Sequence, residues 1–550
     1  MTTQRQPFDW LNNDSRVFLA RGYLLEGVTP EQRIRQIADY AGQLLNDTTF
    51  ADKFYDYMGK GWYSLSSPIW SNFGLDRGLP ISCFSSYVPD SMDGIATVNA
   101  ENMMLSKYGG GTSSYWGDVR PRGSEIKNNG KSDGAVNFMR LLDTSIDVSK
   151  QGSTRRGMHA AYLPIDHADI EEFLTIKTDG AQIQNLFYGV TIKDQWMIEM
   201  INGDSYKRKI WARVLENRKN IGLPYIFWED NVNSNKPEVY SDTRITNSNL
   251  CTEILLPTSD TESFVCDLSS LNLLYVDEWI DTDAVGILVQ FLDAVMTEFI
   301  QKASKIPYFE KTVKFARNHR ALGVGVLGWH SYLQSKMIAL ESQEAYDIND
   351  SIFQTIREQA YAQSHALYDR FGPPEGYPEL HRRNTTLLAI APTTSSSFIL
   401  GQVSQSVEPF RSNYYVKDLA KSKTTFRNPA LQRLLSDKGM DTPDIWRSIL
   451  ERDGSVQHLD GLSDNEKLVF KTFSEISQMD IIKQAADRQQ YIDQGQSLNL
   501  MIHPATPTKD INKLYIEAWS LGIKTLYYQH SINAAQEFNR ELLTCVSCEG

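Results

Sequence analysis

Asn249, Cys251 and Glu253 occupy alternate positions of the run Asn249-Leu250-Cys251-Thr252-Glu253. In extended backbone, successive side chains point to opposite sides, so this spacing predicts an amide, a thiol and a carboxylate in a row, able to act on one small molecule. An amide can hold hydroxyl groups, and a carboxylate can accept a proton from one. Taken alone, the run is equally compatible with a buried cysteine among polar neighbours in a turn, because free cysteine often serves as a small hydrophobe. Four further cysteines complete the set: Cys83 and Cys266 in the body of the chain, Cys545 and Cys548 as a Cys-x-x-Cys pair at its C-terminus. That pair has no second cysteine pair and no nearby histidine, which argues against a zinc site.

Three other motifs invite chemical readings. The adjacent tyrosines Tyr527-Tyr528, without context, read as core packing. The run Pro392-Thr393-Thr394-Ser395-Ser396-Ser397 offers hydroxyls and backbone N–H groups at an expected helix start, a natural anion site. A simple N-cap would explain one of these residues but not five hydroxyl side chains in succession. Gly323-Val324-Gly325-Val326-Leu327-Gly328 matches the G-x-G-x-x-G dinucleotide pattern, but the basic, polar stretch KFARNHRAL precedes it where a buried strand is required. A glycine turn that permits tight packing is the expectation.

The elements that must position these residues read as follows. Residues 31–60 are expected to be helical, with Ile34, Ile37, Ala41, Leu44 and Leu45 at helical spacing. Amphipathic helices are expected at 169–176, 284–304 and 345–371, between strand candidates at 222–227, 386–391 and 523–528. Helices alternating with short apolar strands predict an α/β fold with the sheet inside. Residues 417–495 are polar and expected to be a mostly helical insertion, and the apolar pattern fades after Tyr528 into a tail. With 41% hydrophobic and 22% charged residues, the 550-residue chain has the composition of a soluble globular protein. A net charge of -13 argues against broad binding to nucleic acid. The N-terminus lacks a signal-peptide pattern, and the longest apolar stretch, 284–300, is interrupted by Asp293 and Glu298, so it reads as a core helix, not a membrane span. A cytoplasmic protein with reduced thiols is expected, with neither membrane nor direct nucleic-acid binding.

Taken together, several segments resemble the large (α) subunit of ribonucleotide reductases. They are SNLCTEILLPT with VCDLSSLNL, GLPISCFSSYVPDSMDGI around Cys83, APTTSSSFI from 391, ADRQQYIDQGQSLNL from 486, and GIKTLYYQ from 522. They occur in the family's order across nearly the whole chain. The resemblance implies a ten-stranded α/β barrel over 76–530 with Cys251 on a finger loop inside it. An N-terminal helical region (1–75) would precede the barrel, and a redox-active tail (531–550) would follow. It also implies reduction of ribonucleoside diphosphates to deoxyribonucleotides by thiyl-radical chemistry. Cys251 would carry the radical, Glu253 would act as base, Asn249 would bind substrate hydroxyls, and Cys83 with Cys266 would supply electrons by forming a disulfide. Cys545 and Cys548 would reduce that disulfide by thiol exchange and be reset by thioredoxin or glutaredoxin.

In the LYYQ setting, Tyr527-Tyr528 resembles the radical relay of class I enzymes, which implies a dimetal-containing small (β) subunit as radical source and no covalently bound cofactor. Ser67, Ser82, Pro392, Thr393, Thr394, Ser395 and Ser396 match the substrate-diphosphate site. Asp90 and Arg120 match the specificity site, where a deoxynucleoside triphosphate or ATP with magnesium would bind at a homodimer contact. The loop 151–159 matches the segment that relays effector identity. No segment resembling the family's N-terminal ATP-cone stands before the first helices. Two other readings are an adenosylcobalamin-dependent (class II) reductase, against which the tyrosine pair argues, and a non-catalytic nucleotide-binding regulatory subunit, which would need none of the cysteines.

Overall fold

The computed structural model describes residues 5–151, 155–419 and 422–531. Its N-terminal part is helical: Asn13–Ala20, Pro30–Leu45, Phe50–Gly59 and Ser67–Asn72. Pro30–Leu45 begins with a capping box between Thr29 and Gln32 and has proline in its first turn. Ile34, Ile37, Ala38, Ala41 and Leu45 form its buried stripe, as the spacing predicts. Arg33 is buried beside them, and its guanidinium donates to the carbonyls of Ile69, Trp70 and Phe73, the C-terminal end of helix Ser67–Asn72.

The barrel is built from two parallel halves. In the first, strands Cys83–Tyr87, Gly111–Tyr115, Met158–Pro164, Phe187–Ile192 and Tyr225–Trp228 pair side by side in parallel. In the second, Phe264–Asn272 pairs in parallel with Leu322–Leu327. Bridges from Val324 to Leu388 and from Ile390 to Gln496 continue this half, and Leu500–Ile502 beside Gln529–Ser531 ends it. The halves join antiparallel at both seams: Cys83–Tyr87 against Phe264–Asn272, and Tyr225–Trp228 against Thr525–Leu526. Ten strand positions therefore close into a ring. Outside it, Tyr63–Leu65 extends the sheet beside Phe264–Asn272.

Helix Ala284–Ala303 is long and apolar enough to cross a membrane, but 78% of its most apolar window is buried within the protein. Its Asp293 lies in the core because Arg320 meets it at 2.8 Å and Asn384 donates to it at 3.1 Å. Burial alone would raise its pKa, and Arg320 and Arg383 outweigh that and hold the carboxyl below the usual range.

Two sequence expectations are corrected. The glycine motif at 323–328 is no turn: Leu322–Leu327 is a fully buried barrel strand following helix Glu310–His319. A Cβ on Gly323 would lie 2.6 Å from Leu268 Cδ2, and one on Gly325 2.8 Å from the Ala389 carbonyl, so these glycines serve close strand packing. The segment expected to be largely helical from 417 contains a hairpin, Tyr414–Leu419 with Ser422–Arg427. Helices Pro429–Asp437, Pro443–Leu450 and Asp464–Val469 then pack around Leu431, Leu435, Trp446 and Phe470, a cluster separate from the main core. Helix Gln478–Gln489 returns to the main core.

Candidate active site

The Cys251 segment is not extended. Asn249–Thr252 is a tight turn, with the Thr252 N–H donating to the Asn249 carbonyl and Thr252 in the left-handed region at φ +71°. The Asn249 amide oxygen accepts from the Ile254 N–H and closes the turn. The alternation argument for Asn249, Cys251 and Glu253 therefore fails as geometry, yet the turn brings the three side chains to one cavity. That cavity is lined by Asn249, Leu250, Cys251 and Glu253, with Cys83, Gly111 and a rim of hydroxyl residues.

The loop carrying this turn runs through the barrel, where its backbone cannot reach water, so surrounding side chains satisfy it. Ser113 Oγ donates to the Ser248 carbonyl at 2.7 Å, and Tyr162 Oη donates to that of Asn249 at 3.2 Å. From the opposite half, Thr525 Oγ1 donates to the Thr252 carbonyl at 3.0 Å, and the Gly495 N–H to that of Glu253 at 2.8 Å. Leu255 N–H donates to Gln494 Oε1 at 3.1 Å. The loop is thus pinned to both halves of the barrel.

Cys83 and Cys266 sit directly opposite each other on antiparallel strands. Opposed residues of such a pair have Cα atoms about 4.5–5.5 Å apart and side chains on the same face, within the range a disulfide spans. The two are not joined in a disulfide in this structure. Cys83 is half-buried and lines the cavity; Cys266 lies behind it, buried, and burial pushes its thiol well above the usual range. Asn249 Nδ2 approaches Cys83 Sγ at 3.7 Å, and Gln494 Nε2 approaches Cys266 Sγ at 3.4 Å.

Glu253 is buried, and burial raises its carboxyl to about 7, against the lowering hydrogen bonds from Ser497 and Asn249. Ser497 Oγ lies 2.9 Å from Glu253 Oε2 and 2.5 Å from the Cys251 carbonyl oxygen. Tyr527 Oη approaches Cys251 Sγ at 3.5 Å. The Tyr528 ring lies 4.2 Å from that of Tyr527, tilted by 51°, and Tyr225 touches both at 5.0 and 5.2 Å.

The hydroxyl residues divide. Ser82, Pro392, Thr393 and Ser396 line the cavity, joined by Ser64, Ser66, Ser269 and Ser270. Ser67, Thr394 and Ser395 do not: Ser67 Oγ faces the Tyr23 hydroxyl, Thr394 Oγ1 donates to Gln405, and Ser395 is buried in helix Thr394–Ile399. Asp90 and Arg120 form an ion pair of 2.8 Å just before helix Met92–Lys107, and the Arg120 N–H also donates to Asp90. In the expected effector loop, Lys150–Gln151 pairs with Arg155–Arg156; residues 152–154 lie outside the described residues, as do Cys545 and Cys548. Among the described residues no cluster of histidine, cysteine and carboxylate side chains could hold a metal ion. Gln494, Gly495, Ser497 and Thr525 were not singled out from sequence, because each acts on residues far away along the chain.

A helical N-terminal region on a ten-stranded α/β barrel with a cysteine-tipped inner loop is the fold of ribonucleotide reductase α subunits. Family models for the ribonucleotide reductase all-alpha domain and barrel domain match residues 10–78 and 81–207, 202–382 and 381–529. The chain is 36% identical to the putative ribonucleoside-diphosphate reductase large subunit of Frog virus 3 over 91% of this chain and 92% of that protein. It is 30% identical to the large subunit of Caenorhabditis elegans over 94% of this chain and 76% of that one. The structure of the Actinobacillus ureae class Id ribonucleotide reductase alpha subunit superposes with a TM-score of 0.92 at 55% identity, covering 98% of this chain and all of that one. The chain belongs to the ribonucleotide reductase large-subunit family and is a catalytic subunit of ribonucleoside-diphosphate reductase.

Proposed function

We propose that this subunit reduces ribonucleoside diphosphates at the Cys251 cavity by radical chemistry of the class I type, with the following division of labour. An oxidising equivalent from a metal-containing small subunit reaches Cys251 through Tyr528 and Tyr527. The Cys251 thiyl takes the 3′-hydrogen of the ribose. Glu253 accepts the 3′-hydroxyl proton while the 2′-hydroxyl leaves as water, and Asn249 orients the hydroxyls. A carboxyl near 7 suits this role, because it must take up a proton and then return it.

Cys83 and Cys266 together release one proton, which departs in the water, and one hydrogen atom, which goes to C2′. They are left as a disulfide radical anion. That anion gives its electron to the 3′-ketone, and Glu253 returns its proton there. The resulting 3′-radical recovers its hydrogen from Cys251, which regenerates the thiyl. The net change is one water and one disulfide per deoxynucleotide.

Ser82, Thr393 and Ser396, with N–H groups around Thr393, are assigned to the diphosphate. The Asp90–Arg120 pair is assigned to the effector triphosphate at a dimer contact, with magnesium. Cys545 and Cys548 are assigned to re-reduction, served by thioredoxin or glutaredoxin.

The observation that carries this reading is the 3.5 Å approach of Tyr527 Oη to Cys251 Sγ, with the Tyr528 ring packed behind it. The test is formation of deoxycytidine diphosphate from CDP with dithiothreitol and effector, with and without a metal-loaded small subunit. Turnover is expected only with that partner and is expected to vanish in Cys251→Ser while nucleotide binding persists. Turnover with adenosylcobalamin alone, or near-normal turnover by Cys251→Ser, would overturn it.

A further inference from the structure

Gln494 is fully buried where the reducing thiols, the inner loop and the second half-barrel meet. Its amide nitrogen faces three acceptors, Cys266 Sγ at 3.4 Å, the Leu322 carbonyl at 3.0 Å and Thr386 Oγ1 at 3.1 Å. Its amide oxygen accepts from the Leu255 N–H, two residues beyond Glu253. Its own backbone is fixed: the N–H donates to the Leu388 carbonyl, and its carbonyl accepts from Lys524 Nζ at 2.9 Å. Side-chain amides in cores ordinarily complete backbone or polar side-chain hydrogen bonds. This one aims part of its donor capacity at a sulfur that the fold has placed opposite a second cysteine.

We propose that Gln494 governs the reductive half of the reaction, holding the Cys266 sulfur toward Cys83 and stabilising the negative charge which that sulfur acquires as the disulfide closes. The inference rests on the assignment of Cys83 and Cys266 as the electron source. When the pair loses a proton and a hydrogen atom, both travel through Cys83, the thiol that faces the cavity, so Cys266 must pass its hydrogen forward and carry excess charge. The sulfur has little other help. Burial raises the Cys266 thiol, and Cys83, Asp267 and Glu253 push it further the same way; the Gln494 N–H acts against them. Tyr240 also faces this thiol, as a buried phenol raised by its own burial. Lys524 reaches the Gln494 carbonyl, not the sulfur. A hydrogen bond to a charged acceptor contributes about 1.5–3 kcal/mol. That converts to a rate effect of roughly ten- to a hundredfold on the step in which the charge appears.

The test uses the full chain with its small subunit, in a single turnover without external reductant. Two quantities are followed: release of tritium from 3′-labelled CDP and formation of deoxycytidine diphosphate. Gln494→Met keeps the bulk but removes both the donor to Cys266 and the acceptor for the Leu255 N–H. Tritium release is therefore expected to slow through the loop, and product formation to slow at least tenfold beyond that, with the pH profile of product formation displaced upward. Gln494→Glu keeps the acceptor for Leu255 and donates only when protonated. Its product formation is expected to fall as pH rises, opposite in sign to Gln494→Met. Equal loss of both quantities in both variants, or unchanged product formation in Gln494→Met, overturns the proposal. Cys266→Ser separates the underlying reading: sustained product formation by that variant would mean the dithiol is not the reductant, whatever Gln494 does.

Discussion

At the scale of single residues, Glu253 joins chemistry to stability. Burial raises its carboxyl from an unfolded value near 4.5 to about 7, so between those values the folded chain binds a proton that the unfolded chain has lost. Stability tied to this group is complete below about 4.5 and falls as pH rises through about 7. Glu253→Gln removes the titration, so it should stabilise the protein at pH 8 by on the order of 3 kcal/mol relative to wild type and have little effect at pH 4. The same substitution should abolish deoxynucleotide formation, since an amide cannot take the 3′-hydroxyl proton. Denaturant unfolding at the two pH values checks the first expectation; equal effects at both would mean the carboxyl is not held near 7. Residue types at this site were legible because few side chains can donate a hydrogen atom, take a proton or close a disulfide. Residue geometry was not. The spacing of 249, 251 and 253 predicts extended backbone, and the family match points to Ser67 where its neighbour Ser66 lines the cavity, because neither the Thr252 turn nor the start of helix Ser67–Asn72 leaves a periodic signal.

At the scale of elements, the inner loop depends on a bracket of chain from Gln494 to Ser497. Gln494 holds Leu255, the Gly495 N–H holds the Glu253 carbonyl, and Ser497 meets both the Cys251 carbonyl and the Glu253 carboxyl. Gly495 is the tightest point: a Cβ there would lie 2.9 Å from Leu255 Cδ1, 3.2 Å from the Thr252 carbonyl and 3.3 Å from that of Glu253. Gly495→Ala must therefore displace the loop while leaving the outer helices untouched. We expect turnover to fall at least tenfold, since sub-ångström misplacement of reacting groups is costly, with the midpoint of thermal unfolding changed by only a few degrees. Turnover near wild type would show that the loop tolerates the shift. The bracket explains why sequence patterns found the helices and several barrel strands but not the loop's support. Helices and buried strands announce themselves by apolar period. Residues 386–391 show as a strand candidate, but 494–497 enter the wall through a single bridge and polar side chains, and the glycines of Leu322–Leu327 resemble a turn.

At the scale of the whole molecule, the proposed reducing pair Cys83 and Cys266 poses a problem of access. Cys266 is 1% exposed, whereas Cys83 borders the cavity. A reductant entering the cavity must attack the Cys83 sulfur, with Cys266 as leaving thiolate, and the Gln494 N–H would then assist departure as well as formation of the disulfide. A folded thioredoxin cannot enter a cavity inside the barrel, so a slender segment has to carry the thiols in. Fourteen residue steps separate Ser531, the end of the last barrel strand, from Cys545, an extended reach of roughly 46–50 Å, sufficient to return to the cavity or to cross to a second subunit. Replacing both Cys545 and Cys548 by serine should leave the radical and reductive steps intact and block only renewal. A pre-reduced double variant should form about one deoxycytidine diphosphate per chain and then stall with thioredoxin, whereas a small dithiol should restore part of the turnover. Mass spectrometry of the stalled enzyme should find Cys83 joined to Cys266. Continued cycling with thioredoxin would mean that reduction reaches Cys83 by another route, and the terminal pair would lose its assigned role while the chemistry at Cys251 stood unchanged.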